Sequence, residues 1–162
     1  MRQMQFYKIA GALILAFSGF GGAYMLNSAE SVRFSQTEAL ISFLRFVRAQ
    51  IECFAMPASE IVLRCDKGLL SDCGFNVSDI DTGFDGLRRG SSISDDESRA
   101  IIDSFIGGFG NSYREEQIKE CDYYIELLSE RRQKLLEELP NKKRVNSALC
   151  ISSALAAVIL LL

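Results

Sequence analysis

The sequence predicts an all-α protein, an antiparallel helical bundle domain between an N-terminal and a C-terminal transmembrane helix. Three observations predict it. Uncharged apolar runs occupy both ends of the 162-residue chain, and the charged residues crowd the middle. Apolar residues in that middle recur at steps of three and four, the spacing of one helix face. Alternating apolar and polar residues, the mark of a half-buried strand, are scarce.

Residues 1–8 form a short flank carrying Arg2 and Lys8. Residues 9–26 are 18 consecutive positions without a charge. As a helix they cover about 27 Å, enough to cross the hydrocarbon of a bilayer. Gly19, Gly21 and Gly22 give this first span small faces suited to packing against another helix. Residues 27–144 are expected to form the bundle. Leu40, Leu44, Val47, Ile51 and Phe54 mark an apolar seam on a helix over 35–55. Pro57 suits the first turn of a second helix bearing Ile61, Val62 and Cys65, and Gly68 suits its end. From 69 to 90, Gly74, Gly83, Gly86 and Gly90 weaken any long helix, so one or two short helices joined by turns are expected. Leu69, Leu70, Phe75, Ile80, Phe84 and Leu87 supply burial there.

Ser94 and Glu97 have the spacing of a capping box before a helix carrying Ile101, Ile102, Phe105 and Ile106, which ends at Gly107-Gly108. Ser112 and Glu115 repeat that spacing before the longest bundle helix, over 113–139. Its seam is Ile118, Cys121, Ile125, Leu128, Leu135 and Leu139, and Pro140 predicts a break after it. Residues 145–162 form the second span, entered from Lys142, Lys143 and Arg144.

Lys and Arg are denser beside the middle than outside it, which places residues 27–144 in the cytoplasm of a multi-pass membrane protein. Arg131, Arg132, Lys134, Lys142, Lys143 and Arg144 read both as topology signals and as a membrane-proximal basic face for anionic lipids. Five cysteines without a paired motif read as reduced, mostly buried thiols of a reducing compartment.

Several function classes fall away. The formal charge of −3 gives no reason to expect nucleic acid. The chain has no histidine, which removes the usual general base and the commonest metal ligand. The glycines at 107, 108 and 110 lack the lysine of a phosphate loop and read as a turn. Asp79, Asp81, Asp85, Asp95 and Asp96 lack the ligand order of a calcium loop. No catalytic residue, cofactor, metal or small-molecule substrate is expected.

The Phe-Gly-Asn-Ser-Tyr-Arg-Glu-Glu-Gln turn at 109–117, set between a helical domain and a long charged helix with a span at each end, resembles the stage III sporulation protein AB family. That family's turn reads roughly Leu-Gly-x-Ser-Asp-x-x-x-Gln. Gly110, Ser112 and Gln117 match it, while Phe109 and Tyr113 replace the leucine and the aspartate. The segment from Pro57 with Glu60 also looks like the family's. The resemblance implies a non-enzymatic part of a channel-like, secretion-related apparatus in the mother-cell membrane that engulfs the forespore. It implies similarity to the platform protein of type II secretion and type IV pilus systems. The implied partners are the complex's cytosolic ATPase, protein AA, and other membrane components. On this reading Gly110, Ser112, Glu116 and Gln117 are the expected partner-contact residues, at the end of the bundle away from the membrane; the competing reading is that Ser112 and Glu115 only cap a helix. Two other classes stand beside it. One is a secreted protein with a cleaved leader and a tail anchor. The other is a transporter subunit, which would need ionisable residues within the spans.

Overall fold

Two helices carry most of the chain, because little in their sequences breaks a helix. The computed structural model describes the backbone of residues 2–54, 56–110 and 112–161. Side chains are described from residue 21 onward, except at 55, 58, 59, 79, 81, 82, 111, 157, 158 and 160–162. The elements are α1 (Arg2–Phe54), α2 (Ala58–Arg64), α3 (Lys67–Asp72), a 3-10 turn (Val77–Thr82), α4 (Phe84–Arg88), α5 (Asp96–Gly108) and α6 (Arg114–Leu161). The described residues contain no strand, and the all-α class holds.

The boundaries differ from expectation in five places, one being the start of α6, which follows Tyr113 and not the expected cap Ser112. α1 is one helix of 53 residues, where the sequence predicts a span followed by a separate bundle helix. Residues 27–34 contain no glycine or proline, and Ser31 and Ser35 turn their hydroxyls onto the helix's own carbonyls, at Asn27 and Val32 (3.1 Å each). Pro140 does not break α6, which continues through it. The carbonyl its missing N–H abandons is that of Leu136, and both residues are exposed, so water can serve that oxygen. Gly68 does not end α2; Cys65 does, and Gly68 lies inside α3, whose N-cap Asp66 accepts from the Gly68 amide at 3.2 Å. Finally, Ser94 is not the cap of α5. Asp95 is, and its carboxylate accepts from the Ser98 amide.

The chain divides into two compact units, one of residues 32–136 and one of residues 1–31 with 137–162. The core of the 32–136 unit is built on Leu40, Leu44, Val47 and Ile51 of α1 and on Cys121 and Leu128 of α6, all of them buried. Phe54, expected on the same seam, is 66% exposed at the end of α1. Aromatic rings from α1, α5, α6 and the segments between them fill the core. Phe43 meets Phe75 edge-on at 5.4 Å, and Phe105 lies 4.7 Å from Phe109 and 5.4 Å from Tyr124. Gly74 sits at φ +86°, and an added Cβ there would lie 3.1 Å from the Ser92 carbonyl oxygen. Only a glycine suits that turn.

In the unit of residues 1–31 and 137–162, α1 and α6 run antiparallel. Asn27 donates to Ser147 at 3.2 Å, Lys142 reaches Glu30 at 3.6 Å, and a Cβ on Gly22 would touch the Cys150 sulfur at 3.8 Å. Gly22 thus serves a helix contact as expected, while Gly21 faces open space. Among the described residues no helix is long and apolar enough to cross a membrane. The predicted span at 9–26 lies outside the described side chains up to residue 20. The span at 145–162 lies outside them at 157, 158 and 160–162.

Candidate functional site

The four residues expected to contact a partner meet at the turn that starts α6. Phe109 closes α5, its amide donating to the Phe105 carbonyl at 3.0 Å. Gly110 then takes φ +95°, a left-handed conformation that a side chain would strain. The Tyr113 carbonyl accepts the first amides of α6, from Glu116 and Gln117, each at 2.9 Å. The Gln117 side chain turns back and donates to the Ser112 carbonyl at 2.8 Å. Two of the four residues therefore build the turn: Gly110 through its backbone and Gln117 through its amide. Glu116 is exposed, and with Glu115 it lies in the first turn of α6, where the helix dipole favours negative charge. Tyr113, 85% exposed, stands beside them.

Sequence reasoning missed Arg114. Its guanidinium donates to the Ile51 carbonyl at 3.1 Å and to the Glu52 carbonyl, so a cation caps the last turn of α1. The spacing of Arg114 from its own turn carries no sign of this, because the acceptors are some sixty residues away in sequence.

The six basic residues fall into two sets. Within the 32–136 unit, Arg131 is held inside. Its Nε and a terminal nitrogen fork onto the two Asp95 oxygens at 2.9 and 2.6 Å, and its other terminal nitrogen reaches Glu97 at 2.7 Å. The Arg131 and Asp95 side chains are only 15% and 5% exposed. Asp95 also takes the Ser98 amide and hydroxyl at 2.9 and 2.8 Å, and the Ser98 hydroxyl lies 3.0 Å from that of Thr37. One carboxylate thus links α1, α5 and α6. Burial works against its charge, but the Arg131 and Ser98 hydrogen bonds outweigh it and hold the Asp95 carboxyl at about 2. Arg132 pairs with Glu38 at 3.0 Å and covers the Phe34 ring, and Lys134 lies 4.0 Å from Glu97. In the other unit, Lys142 pairs with Glu138 at 2.8 Å and with Glu30, Lys143 is half-buried, and Arg144 is exposed. Asp95 is a capping residue by type, but the sequence offers Ser94 equally, and the Arg131 partner that holds Asp95 carries no sign in the spacing.

Three thiols behave as the composition predicts. Cys65, Cys73 and Cys121 are buried, and burial pushes Cys65 to about 11, Cys121 to about 12 and Cys73 strongly upward. Cys53 departs from the expectation of burial and is exposed at the end of α1. Among the described residues no group of three or more His, Cys, Asp or Glu side chains is placed to hold a metal ion.

Comparison with known proteins places these features in one family. No curated protein and no solved structure matches the chain. The family model described as stage III sporulation protein AB matches residues 80–162, which include α5, the turn and all of α6. With that match over more than half of its residues, the chain belongs to the stage III sporulation protein AB family.

Proposed function

We propose that the chain is a non-enzymatic, membrane-anchored platform of the stage III sporulation apparatus, a channel-like and secretion-related assembly between mother cell and forespore. On this reading it holds the cytosolic ATPase, protein AA, and other membrane components, and residues 27–144 face the cytoplasm. The observation that carries the reading is the surface of the unit formed by residues 1–31 and 137–162. Tyr24, Met25, Leu149, Leu155 and Ile159 are exposed there, while Gly22, Asn27, Ser147 and Cys150 are spent between the two helices. An apolar surface of that kind invites aggregation in water, and lipid covers it naturally. Lys143 and Arg144, at the charged end of the α6 run, suit anionic lipid heads.

The partner site is the turn at the start of α6. Gly110 and the Ser112–Gln117 bond fix its shape, and Glu116 with Tyr113 forms the surface a partner meets. The buried carboxylate Asp95 is used structurally, held by Arg131 and Ser98, which supports the non-enzymatic reading.

The test uses intact protein from sporulating cells. Alkaline carbonate should leave it in the membrane pellet, and release into the supernatant overturns the anchor. Glu116→Lys, on an exposed position, should cut recovery of the ATPase with the chain by about tenfold, the scale of a lost charged contact. Its thermal melt should fall by no more than the few degrees that a reversed charge in a helix's first turn costs. Undiminished recovery overturns the contact assignment.

A further inference from the structure

The division between the two compact units cuts both long helices, after residue 31 in α1 and after residue 136 in α6. Two ion pairs bracket that cut, one inside each unit. Glu30 meets Lys142 at 3.6 Å, and Glu38 meets Arg132 at 3.0 Å. The stretch left between the brackets is residues 31–37 of α1 and 133–141 of α6.

Each stretch holds a weakness in its own backbone ladder. In α6 it is Pro140, which gives no amide to the Leu136 carbonyl and whose ring crowds that oxygen. Sharp bends in helices sit mostly at such residues. In α1 it is a run of hydroxyls that compete for the helix's own carbonyls. Ser31 donates to Asn27, Ser35 to Val32 and Thr37 to Arg33, at 3.1, 3.1 and 2.9 Å. A hydroxyl turned onto a carbonyl of the preceding turn bends a helix and loosens it slightly. Ser42 makes the same kind of bond farther along α1, but there the enclosed Leu40, Phe43 and Leu44 hold the helix on either side. Between the brackets that hold is thin. From 31 to 36 no side chain is buried, and from 133 to 141 only that of Leu135 is.

We propose that this level is a hinge, at which α1 and α6 bend together while the 32–136 unit moves as one body. The enclosed core and the Asp95–Arg131 pair keep that unit stiff. The bracketing pairs keep the two helices side by side above and below the bend, so a bend in one is shared by the other. Leu136 and Pro140 are exposed, and water replaces whatever backbone bonds the bend opens there. The hinge rests neither on the membrane reading nor on the partner site.

Pairs of spin labels on the full chain in detergent micelles test it, read as distance distributions by pulsed dipolar spectroscopy. Cys53→Ser and Cys150→Ser first remove the sulfurs that are not buried. One pair, Glu126→Cys with Ser152→Cys, joins exposed positions about 39 Å apart along a straight α6. A second, Tyr24→Cys with Arg45→Cys, joins exposed positions about 32 Å apart along a straight α1. The third, Lys119→Cys with Lys134→Cys, spans about 22 Å of α6 inside the 32–136 unit and does not cross the hinge. The two crossing pairs should give distributions at least about twice as wide as the third. Pro140→Ala restores the missing amide and favours the helix, so it should fold; it should narrow both crossing pairs by about a third or more and leave the third pair unchanged. Crossing pairs as narrow as the third overturn the proposal, and so do crossing widths that Pro140→Ala leaves unchanged. Narrowing confined to the α6 pair overturns it equally, because α1 would then take no part in the bend.

Discussion

The two compact units are made from the same pair of antiparallel helices, yet they hold together by different means. In the 32–136 unit, α1 and α6 are bridged by large rings and branched chains, closed by α5 and by the short elements between. Phe43, Phe105, Leu40, Leu44 and Leu128 are fully enclosed, and the charged Asp95–Arg131 pair is enclosed with them. In the unit of residues 1–31 and 137–162, the contacts among the described side chains include Gly22, Asn27, Ser147 and Cys150, and Tyr24, Met25, Leu149, Leu155 and Ile159 are exposed. The first unit gains from removing apolar surface from water. The second leaves that surface outside and relies on close backbone approach and a polar pair, which is how helices associate where the solvent is itself apolar. The lesson is that an unbroken helix can change its packing logic along its length without changing its backbone.

Three changes test this contrast. The largest effect is expected for Phe105→Ala, which opens a cavity against Phe84, Phe109 and Tyr124. Denaturant unfolding should show a loss of about 3–5 kcal/mol. The matching truncation Leu149→Ala, on the exposed surface of the other unit, should leave that stability unchanged. Equal losses would erase the distinction.

Next is Arg131→Met, which strands the enclosed Asp95 carboxylate and should cost about 3 kcal/mol at neutral pH. The acid limb gives a second reading. Asp95 titrates at about 2 in the fold, below the ordinary 3.8. Its contribution is therefore fully present above about pH 4 and is lost as pH falls toward 2, an amount of about 2 kcal/mol. In the Arg131→Met protein that step should flatten. A step of wild-type size would mean that Ser98 alone holds the carboxylate charged.

The smallest effect is expected for Ser147→Ala, which removes the hydroxyl that accepts from Asn27. A polar contact between helices in an apolar medium is worth about 0.6 kcal/mol. A cysteine placed at 22, whose Cβ would lie 3.8 Å from the Cys150 sulfur, should still crosslink to Cys150 in membranes of the variant. Loss of the crosslink would show the polar pair to be the main tie between the two helices.

The bundle seams were legible because burial writes a period of 3.6 into the chain: Leu40, Leu44, Val47, Ile51, Cys121 and Leu128 are buried where the spacing puts them. The ends of the elements were less so. Ser94 and Asp95 are both good caps, and the choice between them is made by Arg131 and Thr37, which sequence spacing does not place nearby. Pro140 and Gly68 are helix breakers by propensity alone, yet α6 runs through the exposed Pro140 and Gly68 sits in the first turn of α3 beside its Asp66 cap. At the candidate site, the glycine of the turn was readable from its type, and Gln117 was picked out by its match to the family pattern. Its role as the brace of the turn follows only from the geometry that brings its amide to the Ser112 carbonyl.

One consequence follows from how the thiols are sheltered. Cys65, Cys73 and Cys121 are sealed away and hold their protons, whereas Cys53 stands open one residue before α1 ends, close to the carbonyls that Arg114 caps. A maleimide dye added to the native chain would settle there in preference to the three sheltered sulfurs, with the half-buried Cys150 as its competitor. The protein therefore carries a ready optical reporter beside the start of α6, with no engineered residue needed to place it.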